Sequence, residues 1–316
     1  MPRALLLTRD WKCYSQPVNR KTVFLGVLVA AFAGVLTFQF FRPPVPIDLR
    51  EWELDYFSQS GEDGVIRKLF EIIKPTSHYV VDFGCGNGTT NSNSRRLIVH
   101  EGWSGLLMDG NHTLIEFARK NFADYPKAKI VEAWVYPGNV ETLFEQNDVP
   151  KDVDLLSIDI DSNDYYVWKV IHDFRPKVVV IEFNSAFPPP QKAVVQFHPL
   201  NYWDGDSDYH GASIQSLYEL GKQKGYELVH CTSQGINLIF VDKQYYSRLG
   251  IRDNSPVAMY RPGLPGMVGV GRGPNGAGHR PWDTYEIEKD GKRIKPYAGD
   301  LTWSEIRIPR KFVALP

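Results

Sequence analysis

Apolar and polar residues follow two different periods along the middle of the chain. Short apolar runs such as HYVVDF, GLLMD, DLLSIDI and KVVVIEF have the length of buried strands. Segments such as GEDGVIRKLFEII and HTLIEFARKNFADY instead place apolar residues three and four positions apart, as amphipathic helices do. Strands that alternate with helices at this spacing favour a parallel sheet with helices on both faces. The pattern therefore predicts a doubly wound α/β fold.

The predicted sheet ends in a hairpin. After a helix in GASIQSLYELGKQKG, the strands YELVHC and INLIFVD are separated only by TSQG. A parallel pair needs a long crossover, so these two strands must be antiparallel. We expect a mostly parallel sheet of seven strands with an antiparallel terminal hairpin, in a domain that spans 57–253.

A long uncharged segment, 23–41, follows a short N-terminal tail, 1–22. Its length suffices to cross a ~30 Å hydrocarbon layer. We interpret it as a membrane anchor; a buried core helix is the alternative, and the length of the tail disfavours a cleaved signal peptide. Five basic residues precede it, whereas two follow closely, which favours a cytoplasmic N-terminus: Arg3, Arg9, Lys12, Arg20 and Lys21 before it, Arg42 and Arg50 after it. The sequence RPPVP opens a stiff linker, 42–56.

The side of the membrane on which the domain lies stays open. A short cytoplasmic tail with one span suits a single-pass protein of the endoplasmic reticulum or Golgi. However, Asn87-Gly-Thr and Asn111-His-Thr are glycosylation sequons. Both fall in a predicted ligand pocket, which attached glycans would block. Either these sequons are skipped in a lumenal domain, or the domain faces the cytosol.

The C-terminal extension, 254–316, differs in composition from the domain. Its stretch 263–278 contains seven glycines in 16 residues, which is typical of a loop or linker. Further on, YEIEKDGKRI predicts a hairpin around Asp290-Gly291. No internal repeat is visible.

Overall composition excludes several classes of function. The chain has 316 residues, 43% of them apolar, and a net charge of −1, so no basic surface for nucleic acid is indicated. Its three cysteines, Cys13, Cys85 and Cys231, are too scattered for a disulfide framework or a zinc site. Composition does not indicate an oligomeric state.

The stretch DFGCGNGTT links the first strand to a helix. It contains Asp82, Gly84, Gly86 and Gly88, and such a turn at the carboxyl end of a strand lets backbone approach a ligand closely. The third glycine arrives one residue earlier than in the dinucleotide fingerprint, which disfavours a dehydrogenase. The motif and the terminal hairpin resemble class I methyltransferases, which bind S-adenosylmethionine (SAM), over about 57–242. A generic turn between strand and helix is the alternative.

The resemblance implies a set of cofactor contacts. The three glycines pack against the methionine and ribose parts of SAM, and Asp82 lies near its ammonium group. Asp109, at the end of the second strand, accepts hydrogen bonds from the ribose hydroxyls, with Gly110 and Asn111 beside it. Trp134 is expected near the adenine, or else in the core.

The segment SQSGEDG opens the domain. It resembles methyltransferases of the FkbM-like type, which implies that Gln59 and Glu62 close over the cofactor. The alternative is a plain helix start with Ser60 or Asp63 as its cap.

Acids follow the fourth and fifth strands, whose ends face the same crevice. Asp159 and Asp161 come after the fourth strand, and Glu182 and Asn184 after the fifth. By similarity to metal-dependent O-methyltransferases, we expect Asp159, Glu182 and Asn184 as Mg²⁺ ligands and Asp161 as a base. Alternatively, these acids bind substrate directly or cap the next helix.

The long connection 185–210 suggests an acceptor site. It carries two candidate bases, His198 and His210, together with Tyr202 and Trp203. Aromatic rings beside acids suit a polyhydroxyl acceptor such as a sugar. We therefore expect catalytic roles for Asp159, Asp161 and His210 in O-methylation of a hydroxyl on a small molecule or glycan.

Two other functions are compatible with parts of the sequence. A membrane glycosyltransferase could use Asp159-Ile-Asp161 to hold a metal and a nucleotide sugar, but it leaves the glycine loop unexplained. A non-catalytic SAM-binding module would keep the pocket and recruit partners.

Overall fold

The computed structural model describes residues 46–203, 209–263, 287–289, 292–294 and 312–313. The predicted tail, 1–22, and the predicted anchor, 23–41, lie outside these ranges. Within the ranges, every helix is too short or too polar to cross a bilayer.

The central element is a mixed sheet of seven strands in the order β3-β2-β1-β4-β5-β8-β7. All neighbours from β3 to β5 are parallel, and β8 is antiparallel to both β5 and β7. The seven-stranded α/β fold and its antiparallel terminal hairpin are thus confirmed. The strands are β1 (Tyr79–Phe83), β2 (Ser104–Asp109), β3 (Ala128–Glu132), β4 (Leu155–Ile158), β5 (Val178–Glu182), β7 (Tyr226–Cys231) and β8 (Asn237–Asp242); a two-residue strand, β6 (Val194–Val195), lies outside this sheet.

Six main helices connect and cover the strands. They are α1 (Glu62–Ile73), α2 (Arg95–Glu101), α3 (His112–Asn121), α4 (Val140–Gln146), α5 (Asp164–Val170) and α6 (Ile214–Lys224); α7 (Lys243–Tyr246) and α8 (Pro256–Met259) are single turns. Helix α4 has no counterpart among the elements predicted from the sequence. It supplies the crossover that a parallel β3 and β4 require.

Each strand contributes side chains to two cores, one on each face of the sheet. Val81 and Phe83 of β1 lie in the core shared with α4, α5 and α6. Val80, which precedes Val81 along the strand, lies in the core shared with α1, α2 and α3. Successive strand residues point to opposite faces, so both faces need apolar side chains. This explains why the strands read as continuous apolar runs.

Helix ends follow local sequence signals. Ser213 begins α6 by accepting a hydrogen bond from the Ser216 N–H at 3.3 Å, and Gly225 ends it with φ +77°. A serine cap followed at the far end by a left-handed glycine is the expected arrangement.

The domain includes residues on both sides of 57–253. Leu49, in the predicted linker, is buried, and the Ile47 N–H donates to the Leu249 carbonyl at 3.2 Å. Beyond residue 253, the Tyr260 hydroxyl donates to the Ser185 carbonyl at 2.6 Å. In the extension, Ile287–Lys289 pairs antiparallel with Lys292–Ile294 around the predicted turn.

Candidate active site

Strand order reverses between β1 and β4, which are neighbours in the sheet. In open α/β sheets the connections leave such a switch point in opposite directions and open a crevice beyond the carboxyl ends of the strands. The loops after β1, β2, β4 and β5 meet at this crevice. They carry most of the residues that the sequence singles out.

The three glycines after β1 all have left-handed backbone conformations, with φ of +70° at Gly84, +55° at Gly86 and +71° at Gly88. A Cβ at Gly84 would lie 1.6 Å from the Asp159 carbonyl oxygen, and one at Gly88 would lie 2.6 Å from the Phe122 ring. A Cβ at Gly86 would have nothing within 4 Å. Gly84 and Gly88 are therefore required by packing, whereas Gly86 presents bare backbone to open space.

Asp109 ties the loop after β2 to the glycine loop. Its Oδ2 accepts a hydrogen bond from the Gly86 N–H at 2.9 Å, and its Oδ1 accepts one from the Asn111 N–H at 2.7 Å. The side chain of Asn111 in turn caps α3 by accepting from the N–H groups of Thr113 and Leu114. The carboxylate thus lies beside the open space at Gly86, where the resemblance places a ribose.

Trp134 packs over the loop after β2. A Cβ at Gly110 would lie 2.4 Å from the indole, so only glycine allows this close approach. The Trp134 Nε1 donates to the Pro199 carbonyl at 2.7 Å. Trp134 is 36% exposed, which places it at the rim of the crevice and not in the core.

Asp82 lies beneath the glycine loop and not at its open face. It is 3% exposed and accepts a hydrogen bond from the Ser94 hydroxyl at 2.6 Å, at the start of α2. Burial raises the pKa of Asp82 to about 6, against the lowering effect of the Ser94 hydrogen bond. The expected contact of Asp82 with the ammonium group of SAM stays a prediction.

The two acids of the SQSGEDG segment, Glu62 and Asp63, accept hydrogen bonds that the sequence does not predict. Glu62 is fully buried and accepts hydrogen bonds at 2.7 Å from the Asn237 amide and from the Ser60 N–H. The Asp63 carboxylate accepts from three consecutive N–H groups, those of residues 56–58. Neither acid caps α1 through its side chain, since Gly61 is the N-cap.

Gln59 and Asn237 show how this segment meets the terminal hairpin. The Gln59 carbonyl accepts a hydrogen bond from the Gln234 amide at 3.3 Å, in the turn between β7 and β8. Asn237 opens β8 opposite Glu182 of β5. The one sequence signal for Asn237 is that it is polar and directly precedes the apolar run LIFV of β8.

Three carboxylates meet at the ends of β4 and β5. Asp159, Asp161 and Glu182 each bring one oxygen within 4.8 Å of the other two. Asp161 has φ +62°, a left-handed conformation that aspartate tolerates better than most residues. These separations and oxygen ligands suit a hard divalent cation.

Burial and mutual repulsion make this carboxylate group difficult to ionise. Burial is the largest cause that raises the pKa of Asp159, followed by the charges of Glu182 and Asp161. The pKa of Glu182 is raised by the same causes, burial first and then Asp161. A cation among them would relieve the repulsion. Within the part of the chain that the structure describes, the buried Glu182 Oε2 has no hydrogen-bond partner.

Asn184 stands apart from this group. Its Nδ2 donates to the His210 carbonyl at 2.9 Å, and its Oδ1 accepts from the Ala186 N–H at 3.0 Å. The amide oxygen expected to bind a metal therefore holds the loop after β5, and Asp161 is the third residue of the carboxylate group instead.

Of the two candidate histidine bases, His210 lies at the carboxylates. Its Nδ1 is 3.6 Å from Glu182 Oε2, and its ring packs at 5.4 Å from the ring of Trp203. The Nδ1 of His198 instead accepts a hydrogen bond from the Leu200 N–H at 3.2 Å, within a turn. Burial lowers the pKa of His198.

Residues 194–203, which we name the cover segment, lie along the carboxyl edge. The Asn163 amide donates to the His198 carbonyl at 2.8 Å, and the Tyr166 hydroxyl donates to the Val195 carbonyl at 2.9 Å. Together with the Trp134 hydrogen bond, these contacts attach the segment to the loops after β3 and β4 and to α5. Part of the predicted irregular connection is thus ordered over the crevice.

A separate cavity of about 460 Å³ lies at the β7 edge of the sheet. Its lining comprises residues 46–50, residues 229–231 of β7, residues 251–253, and Ala258, Met259 and Arg261. None of the glycine-loop or carboxylate residues borders it. It is therefore distinct from the crevice.

Comparisons with known proteins find similarity only among solved structures. No family model matches the chain, and no curated protein matches it in sequence. The N-terminal domain of EvdMO1 with S-adenosylhomocysteine (SAH) bound is similar at 12% identity and a TM-score of 0.40, over 59% of this chain and 82% of that one.

Two further structures have the same level of similarity. TrmK of M. capricolum in complex with SAH has 12% identity, a TM-score of 0.36, and coverage of 60% of this chain and 69% of that one. A SAM-dependent methyltransferase from Clostridium acetobutylicum has 14% identity, a TM-score of 0.36, and coverage of 68% and 98%. Such values do not establish a family.

Proposed function

We propose that this protein is a SAM-dependent methyltransferase that methylates a hydroxyl group on a small molecule or glycan. The observation that carries the proposal is the open space at Gly86, bordered by the Asp109 carboxylate at the switch point of the sheet. Bare backbone next to a carboxylate that reaches across from the neighbouring strand suits a nucleoside. A phosphate-free nucleoside cofactor needs no basic residue there.

The residues present fit SAM. Gly86 leaves open space against its backbone, and the Asp109 carboxylate beside it offers acceptors to the ribose hydroxyls. Trp134 lies on the same side of the crevice, because its indole packs against Gly110, the residue after Asp109. Gln59 lies in the segment that joins the terminal hairpin nearby. When bound, SAM would supply a methyl group on its sulfonium sulfur for transfer to an acceptor oxygen, with SAH as the leaving group.

The carboxylate side of the crevice is proposed to bind and activate the acceptor. We infer that Asp161 or His210 would receive the hydroxyl proton, because an Asp161 oxygen lies within 4.8 Å, and His210 Nδ1 3.6 Å, of a Glu182 oxygen. Asp159, Asp161 and Glu182 fit Mg²⁺, which would lower the pKa of a hydroxyl bound to it. Asn184 stays a further candidate ligand, since its oxygen accepts the Ala186 N–H and has a second lone pair.

Acceptor class and location are inferences from side chains and sequence. The Trp203 ring packs on His210, which lies beside Glu182, so one aromatic ring borders the carboxylates; Tyr202, the preceding residue, is exposed. Rings beside acids suit the apolar face and hydroxyls of a sugar. The uncharged segment 23–41 is proposed to anchor the chain in a membrane of the endoplasmic reticulum or Golgi.

Calorimetry of the purified full chain tests this function. We expect SAM and SAH to bind, and NAD and a UDP-sugar not to bind. Binding of a UDP-sugar in the presence of Mn²⁺, without binding of SAH, would favour a glycosyltransferase that uses Asp159 and Asp161. Binding of NAD would contradict the interpretation of the glycine spacing.

Metal binding is tested in the same instrument. Titration of Mg²⁺ into the wild-type chain is expected to give one site, which Asp161→Asn and Glu182→Gln each weaken at least tenfold. Asn184→Asp is the contrast, because Asn184 lies outside the group of three carboxylates. This variant should not weaken Mg²⁺ binding. If titration with Mg²⁺ gives no binding signal, the three carboxylates do not hold a metal. Their proposed role is then to form hydrogen bonds directly with the acceptor.

A further inference from the structure

Two side chains from different loops hold one turn of the cover segment. Trp134 Nε1 donates to the Pro199 carbonyl at 2.7 Å, and Asn163 Nδ2 donates to the adjacent His198 carbonyl at 2.8 Å. The turn closes on itself through the Asn201 N–H, which donates to the His198 carbonyl at 2.9 Å. Its position therefore depends on Trp134 on one side and Asn163 on the other.

These two side chains come from opposite sides of the glycine loop. Trp134 follows β3, Asn163 follows β4, and β2 and β1 lie between those strands. With strands about 4.8 Å apart, the loops are separated by roughly 14 Å. A turn whose two adjacent carbonyls accept from both side chains lies between these two loops, and β1 and β2 are the strands between them. This places it next to the part of the crevice assigned to the cofactor.

Trp134 differs from Asn163 in a second contact. Its indole lies so close to Gly110 that a Cβ there would be 2.4 Å away. Gly110 directly follows Asp109, the proposed ribose-binding residue. A ligand that contacts Asp109 and Gly110 consequently contacts the backbone on which Trp134 rests. No corresponding contact links Asn163 to the glycine loop in the described hydrogen bonds.

We propose that Trp134 is a positioning residue that couples cofactor binding to docking of the cover segment. This inference rests on the proposed function. Cofactor bound at Asp109 and Gly110 fixes the indole, and the indole in turn fixes Pro199 and the turn around it. Coupling between two sites is reciprocal, so a docked cover segment also strengthens cofactor binding.

Hydrogen exchange of the full chain, with and without saturating SAH, measures this coupling. The amides of Gln196, Leu200 and Asn201 are the reporters, since Pro199 has no N–H. In the wild-type chain we expect SAH to slow their exchange at least fivefold. In Trp134→Phe, which keeps a ring but removes the donor, this slowing should fall below twofold when the variant is also held at saturating SAH.

Asn163→Ala is the matched control. It removes a hydrogen bond of the same kind from the same turn, so exchange in the cover segment should be faster both with and without SAH. The slowing caused by SAH should persist. Gly110→Ala serves as a second variant, because its Cβ displaces the indole without removing the donor; it should speed exchange of the reporters before any ligand is added.

The outcomes separate this inference from the proposed function. If SAH binds by calorimetry and slows exchange of the glycine loop but not of the cover segment, the coupling is wrong and the methyltransferase proposal stands. Retention of the full slowing in Trp134→Phe also overturns the role of Trp134. If SAH does not bind to the wild-type chain at all, the proposed function fails and the coupling fails with it.

Discussion

The carboxylate of Asp109 accepts a hydrogen bond from the backbone N–H of Gly86 at 2.9 Å, which joins the loops that end β1 and β2. The same bond holds the bare backbone of Gly86 at the edge of open space. Asp109 therefore holds the glycine loop in place and also lies where it could bind the proposed cofactor.

Replacement of Asp109 tests this double role. We expect Asp109→Ala to weaken SAH binding about 10- to 100-fold, because hydrogen bonds to charged groups contribute about 1.5–3 kcal/mol. Asp161→Ala, on the carboxylate side of the crevice, should change SAH affinity less than about threefold. Calorimetry measures both. Equal losses in the two variants would contradict the division of the crevice into a cofactor side and an acceptor side.

The glycines of the loop predict different outcomes of substitution by alanine. Gly84→Ala should destabilise the fold severely, since its Cβ would lie 1.6 Å from a carbonyl oxygen. Gly86→Ala should cost only the strain of its left-handed backbone, about 1–2 kcal/mol, and still abolish SAH binding.

Gly102→Ala provides the matched control for Gly86→Ala. Gly102 has φ +70° and nothing within 4 Å of its Cβ position, but it ends α2 away from the crevice. Both variants should lose similar stability in thermal unfolding, and only Gly86→Ala should lose SAH binding. Normal SAH binding by Gly86→Ala would show that the open space is not the cofactor site.

The buried Asp82 predicts an unusual dependence of stability on pH. Its folded pKa of about 6 lies above the ordinary aspartate value of 3.8, so the folded state holds the proton more tightly. Its contribution to stability is therefore lost as pH rises from about 4 to about 6, by up to about 3 kcal/mol. The usual aspartate, with a lowered pKa, behaves in the opposite way.

Denaturant unfolding from pH 4 to pH 7 measures this effect. Relative to Asp82→Asn, the wild-type chain should be more stable at pH 4 than at pH 7 by up to about 3 kcal/mol. Ser94→Ala should extend the window to higher pH, because the Ser94 hydrogen bond lowers the Asp82 pKa. If the stability of the wild type and of Asp82→Asn depends on pH in the same way, the pKa of Asp82 is not raised in the folded state.

The two sequons predict the glycosylation state of the native chain. Asn111 is exposed and lies two residues after Asp109, and Asn87 lies next to Gly86 and Gly88. A glycan at either position would stand at the mouth of the crevice. We expect enzymatic removal of N-glycans to leave the mass of the cell-made chain unchanged.

Asn87 and Asn111 could lack glycans because the sequons are skipped in a lumenal domain or because the domain faces the cytosol. An added reporter sequon distinguishes these two cases. Ala277→Thr completes a sequon at Asn275 in the C-terminal extension. Glycosylation of the reporter alone would place the domain in the lumen with its own sequons skipped, and no glycosylation would place it in the cytosol. A glycan on Asn87 or Asn111 in active protein would contradict the assignment of the crevice.

Local patterns were sufficient for the elements and for the glycine loop. Apolar runs indicated most strands of the sheet, because a strand covered on both faces needs apolar side chains at nearly every position. The edge strand β3 is only partly buried and carries Lys129 and Glu132. The short TSQG turn required an antiparallel hairpin. Helix α4 escaped notice, since its seven residues span only two turns and give little periodicity.

Which residues share a site was decided by the tertiary structure. The sequence alone determined that acids follow β4 and β5, but strand order brought Glu182 to Asp159 and Asp161 and left Asn184 bound to its own loop. Glu62 and Asn237, 175 positions apart, meet only because α1 packs beside β8. Side-chain direction at a loop, and contacts between distant strands, depend on packing that no local period encodes.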